Sequence, residues 1–76
     1  MSGSPRVLLI FRSIHDVLAA ERALVAAGVA AELVPVPKEI NPNCGMAVIV
    51  APGDRSRALE AVGERRPIEI VDDWRA

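Results

Sequence analysis

The chain has 76 residues, 9 basic and 10 acidic, with one cysteine and 51% apolar content. One domain is the ceiling at this length, that apolar content is not the composition of a disordered chain, and a net charge of -1 argues against a surface that tracks nucleic-acid phosphates. A lone cysteine cannot close an intrachain disulfide, so a reducing compartment is expected.

No apolar run approaches the roughly 18 to 20 residues of a bilayer span, and the first residues lack the basic-then-apolar pattern of a secretory leader. The expectation is a cytoplasmic protein with no membrane and no nucleic-acid partner. Twelve of the apolar residues are Ala, which leaves Val, Ile and Leu plus one Phe and one Trp to build the core. A domain near this size hides only roughly 60 to 65% of the surface of its unfolded chain, so self-association is an expected remedy.

Val7 to Phe11 is an unbroken apolar run whose length and β-branching predict a buried strand. Ser13 then predicts a helix start, its hydroxyl accepting from early helical N–H groups while Asp16, three residues on, reaches back to the Ser13 amide. Val17, Ala20, Leu24 and Ala27 form one apolar stripe, and Gly28 supplies a left-handed stop. Val29 to Val34 predicts a second strand, placed at a sheet edge because Pro35 and Pro37 lack ladder donors. Residues 35–45 read as a loop and carry Cys44. Met46 to Ala51 predicts a third strand. Pro52-Gly53 turns the chain, Asp54 can cap, and a helix over 55–65 turns Ala58, Leu59, Ala61 and Val62 inward until Pro67 ends it. Ile68, Glu69 and Ile70 begin a fourth strand, trailing toward Trp74.

The order βαββαβ, as one domain over residues 1–76 with its ordered core at about 6–71, is that of an α+β ferredoxin-like sandwich: four antiparallel strands in the order 4-1-3-2, with both helices on one face. Strands covered on one side should alternate. Instead, Leu8 and Ile10 are apolar on one parity and Val7, Leu9 and Phe11 on the other, and the third strand repeats the pattern. Burial on both sides gives this signature. The expected cover for the open face is a second copy, a homodimer through the sheet, or else the Trp74 tail.

This topology sets the Cys44 loop and the first helix start at one end of the sheet, with Cys44-Gly45 beside Phe11-Arg12-Ser13. A thiol there would feel the helix N-terminus, with Arg12, His15 and Lys38 as further cationic help, and each favours the reactive thiolate. Gly45 allows close approach of a large partner or a sharp turn into the strand. The plainer readings are an inert small residue for Cys44, a solvent-facing His15, a capping Asp16 and solvated charges at Arg12 and Lys38.

The stretch Phe11-Arg12-Ser13-Ile14-His15-Asp16-Val17-Leu18-Ala19-Ala20-Glu21, then Leu24 and Gly28-Val29, Pro35-Val36-Pro37-Lys38-Glu39-Ile40 and Cys44-Gly45-Met46-Ala47, resembles the short bacterial selenium/sulfur (Se/S) carrier-like proteins, long grouped as a domain of unknown function. Val17 stands where that family has Ala, and Asn41-Pro42-Asn43 replaces its Ser-rich run. The resemblance implies that Cys44 bears the chalcogen, with His15, Asp16 and Pro37-Lys38 as its matching neighbours.

The leading expectation is a carrier that takes up sulfur or selenium on Cys44 from a donor protein and passes it to an acceptor, with no cofactor. The alternative is a dimeric regulatory or interaction module in which Cys44 is incidental. A metal site on Cys44, His15 and Asp16 lacks close Cys or His spacing, no CxxC suggests a copper chaperone, and no Gly-rich fingerprint suggests phosphate chemistry. Enzymatic chemistry has the least support, because the side chains of the one His-Asp dipeptide diverge on the helix.

Overall fold

The computed structural model describes residues 5–36, 39 and 45–74. Its elements are β1 (Arg6–Ile10), α1 (Ile14–Ala26), β2 (Glu32–Pro35), β3 (Met46–Val50), a 3-10 turn (Pro52–Asp54), α2 (Arg55–Val62) and β4 (Glu69–Trp74). The strands form one antiparallel sheet in the order β2-β3-β1-β4, the ferredoxin-like arrangement. β2 is an edge strand, which suits its one proline, Pro35, at the end opposite Met46.

Local chemistry sets the boundaries. The Gly28 amide donates to the Val25 carbonyl and the Val29 amide to the Leu24 carbonyl, while Gly28 adopts φ +77°. These two bonds and the buried Leu24–Val29 pair make a Schellman stop. Val29 thus belongs to the cap of α1 rather than to β2, which begins at Glu32. For the same reason the expected stripe loses Ala27, which sits at the exposed cap, and keeps Val17, Ala20 and Leu24. α2 stops at Val62 instead of Arg65, because Gly63 turns left-handed at φ +59° four residues before Pro67. Asp54 precedes α2 without a side-chain capping bond; its carboxylate accepts from Arg57 at 3.3 Å.

Two clusters sandwich the sheet. Val7, Leu9, Phe11, Val48 and Val50 face the helices and meet Val17, Ala20, Leu24, Ala58 and Val62. Leu8, Ile10, Ala47 and Ile49 point the other way and join Val36, with Val34, Val71 and Trp74 packed against them. Leu8 and Ile10 are 0% and 1% exposed within a single chain. Of the two covers expected for this face, a second copy or the Trp74 tail, Trp74 packs on it within the chain.

Trp74 reaches that face through a bulge. β4 pairs Leu9↔Ile70 and Leu8↔Val71, but Arg6↔Trp74, so Asp72 and Asp73 oppose the single residue Val7. Without the extra residue, Trp74 would share the helix-facing parity of Ile70. With it, Trp74 joins Val71 on the opposite face. Asp73 carries the bulge at φ +59°, a conformation that Asp tolerates and β-branched residues do not. Asp73→Val is expected to cost about 1–2 kcal/mol and to shift the emission of Trp74, the one tryptophan, whereas Asp73→Gly leaves both unchanged. Thermal unfolding followed by fluorescence checks this.

Candidate functional site

β1 leads directly into the start of α1. Ser13 is extended at φ −148° and ψ 165°, and its Oγ accepts from the Asp16 amide at 3.3 Å while its carbonyl accepts from the Val17 amide at 3.0 Å. The return bond expected from Asp16 to the Ser13 amide is replaced by another contact. Asp16 Oδ1 accepts from an Arg65 guanidinium nitrogen at 3.1 Å. A reciprocal cap needs the longer Glu or Gln side chain, and Asp falls a methylene short. The pair is partly exposed, with side-chain exposures of 59% for Arg65 and 32% for Asp16, so its worth is on the order of 0–1 kcal/mol.

The far side of this end is set by β3. Val7↔Val50, Leu8↔Ile49 and Leu9↔Val48 fix its register on β1. Carried on past Leu9, that register sets Arg12 level with Gly45. The Val36 amide donates to the Gly45 carbonyl at 2.9 Å, so the two ends of the segment 37–44 are brought together where β2 leaves the sheet and β3 enters it. Cys44 and Lys38 lie outside the described residues. Arg12, Ser13, His15, Asp16 and Gly45 are thus gathered at one end of the sheet, with Arg12, His15 and Gly45 exposed. Arg65 is the neighbour that sequence reading missed, since it was counted into α2; the signal was its position at the same end as α1's start, with a charge opposite to Asp16.

Gly45 has neither of the usual reasons to be glycine. Its φ is outside the positive range, and among the described residues a Cβ built on it would meet nothing within 4 Å. Among the described residues, no three His, Cys, Asp or Glu side chains could hold a metal ion, and no helix is long and apolar enough to cross a membrane. A shallow depression lined by Arg6, Ala30, Ala31, Glu32 and Ala51 lies at the opposite end of the sheet, away from this cluster.

Comparison with known families decides the relationship. The family model described as "Putative Se/S carrier protein-like" matches residues 6–72. The chain belongs to the Se/S carrier-like family. No curated protein and no solved structure matches it. The family match spans β1 through α2 into β4, so Arg65 lies inside the family's domain along with the α1 start. For this Se/S carrier-like chain, the open space at Gly45 yields a prediction. Gly45→Ala is expected to change folding stability by no more than about 0.5 kcal/mol, as at other unencumbered surface sites. Urea denaturation of the two chains side by side checks this.

Proposed function

We propose that the protein is a sulfur or selenium carrier in which Cys44 bears the chalcogen between a donor protein and an acceptor. The family match over residues 6–72 carries this reading. The gathering of Arg12, Ser13, His15 and Gly45 at the end of the sheet that precedes β3 supports it, because Cys44 is bonded to Gly45.

The step is thiol–disulfide exchange in its persulfide form. The Cys44 thiolate attacks the outer sulfur of a donor cysteine persulfide. A new S–S bond forms on Cys44, the donor's S–S bond breaks, and its electron pair leaves on the donor thiolate, which takes up a proton. No oxidant is consumed, because the sulfane sulfur keeps its oxidation state. Discharge repeats the exchange with an acceptor thiolate attacking the outer atom. Selenium follows the same path as a selenosulfide. Cationic groups and the unpaired N–H groups of the α1 start favour the thiolate in both directions, with His15 and Arg12 as supports and Lys38 as a further cation on the same loop. A resolving cysteine would end the carrier state as a disulfide, and the chain has none.

Incubation with a cysteine desulfurase and cysteine, followed by mass spectrometry, tests the reading. One added sulfur per chain on Cys44 is the expected result. A chain that stays unmodified with several donors, yet binds a protein partner regardless of Cys44, returns the case to an interaction module.

A further inference from the structure

Three arginines of α2 and the turn after it reach in three directions. Arg55 Nε donates to Asp72 of β4 at 3.0 Å, an Arg57 guanidinium nitrogen donates to the Ala27 carbonyl at the cap that ends α1 at 3.4 Å, and Arg65 donates to Asp16 at 3.1 Å. Of these, only Arg65 reaches the start of α1, at the end of the sheet that holds Ser13 and Gly45.

Asp16 is the one acidic residue in the first turn of α1, and its amide donates to Ser13 Oγ, which holds it at the cap. A negative charge there suits the helix but opposes a second anion at the same end. The thiolate and persulfide of the carrier reading are such anions, and Cys44 is bonded to Gly45, which the β1–β3 register sets level with Arg12. The magnitudes decide the outcome. A helix start carries roughly half a positive charge and a carboxylate a full negative one, so a bare Asp16 would outweigh the N–H groups around it. The Arg65 guanidinium offsets that carboxylate.

The other charged residues at this end do not take that part. Arg12 and His15 flank Ser13, Lys38 and Glu39 belong to the segment between β2 and β3, and Glu64, Arg66 and Glu69 follow α2. Among the described residues, Arg65 is the cation ion-paired with Asp16.

We propose that Arg65 is a positioning residue of the carrier site, holding the Asp16 carboxylate so that the start of α1 stays electropositive toward the sulfur anion on Cys44. This role rests on the carrier reading and extends its site to the turn after α2.

The test follows alkylation of Cys44 by iodoacetamide across pH in the full chain. It compares the unmutated protein with Arg65→Ala, Arg65→Lys and the double variant Arg65→Ala, Asp16→Asn, each shown by urea unfolding to be folded. Arg65→Ala is expected to move the midpoint of the rate profile to higher pH and to slow alkylation at neutral pH about twofold, the size of a partly exposed charge interaction. Arg65→Lys should keep the original profile, the double variant should return to it, and about 1 M salt should erase most of the difference. An unmoved profile in Arg65→Ala, or a moved one that neither the double variant nor salt returns, overturns the proposal; the latter is the mark of a merely structural tie. Iodoacetamide reports on the thiol alone. An unmoved profile therefore contradicts the role of Arg65 without touching sulfur loading, and a chain that never loads contradicts carriage whatever the profile.

Discussion

Cys44→Ser is expected to reduce sulfur loading to background while circular dichroism shows a folded chain. Serine is nearly isosteric with cysteine, but its hydroxyl is not ionised near neutral pH and forms no stable bond to sulfane sulfur, so the variant removes the chemistry and little of the shape. The effect should be all-or-none, because the protein has no second cysteine to take over. His15→Ala should act differently, since an exposed imidazole beside the α1 start can assist the thiolate without bearing the sulfur. It is expected to slow loading severalfold and leave the final extent unchanged. Mass spectrometry time courses on the two variants separate the bearing residue from its support. Full loading of Cys44→Ser would place the sulfur elsewhere and contradict the assignment.

Phe11→Ala is the substitution expected to damage the fold most. Phe11 is the one phenylalanine, is 1% exposed, and joins the helix-facing cluster where β1 runs into Arg12 and Ser13. Removing so large a buried side chain costs about 3–5 kcal/mol in transfer and cavity terms. At 0.05–0.15 kcal/mol per residue, 76 residues give a total stability of about 4–11 kcal/mol. The loss is therefore a large share of the whole, and it falls at the end of the sheet that orients the Ser13 cap. Urea unfolding should show a strongly lowered midpoint with an unchanged slope. A shift worth less than about 1 kcal/mol would mean that the cluster is looser than its burial indicates.

These effects depend on residues whose roles differ in how openly the sequence displays them. The sheet was legible because β1 and β3 are apolar on both parities, a pattern that only burial on both faces explains. The strand order followed from fold-level rules once βαββαβ was read. Ser13 and Gly28 were legible as the two ends of α1, since capping chemistry is local. Long-range competition was not. Asp16 reads as half of a reciprocal cap until α2 brings Arg65 against it, and no local rule ranks a guanidinium arriving from forty-nine residues away over a backbone amide. The end of α2 was misjudged because Pro67 is the louder breaker, although Gly63 acts first by turning left-handed.

The β4 bulge was hidden for a related reason. Alternation predicts the face of each strand residue only while the register holds, and one extra residue at Asp72-Asp73 inverts the assignment of Trp74. Trp74, which the sequence offered only as the second choice of cover for the open face, is thus a β-strand residue on that face of the sheet. At the site, the gathering of Arg12, Ser13, His15, Asp16 and Gly45 followed from topology alone, while the open space around Gly45 required coordinates.

The most direct measurement of carriage follows a labelled atom in and out. The chain is loaded from a desulfurase fed with isotopically labelled cysteine, separated, and mixed with an acceptor thiol while intact mass and fragment masses are recorded. The expected result is one labelled sulfur per chain, confined to the fragment holding Cys44, which then passes to the acceptor and leaves an unmodified chain ready to reload. A label found on another fragment, no label at all, or a label on Cys44 that no acceptor removes would contradict a carrier.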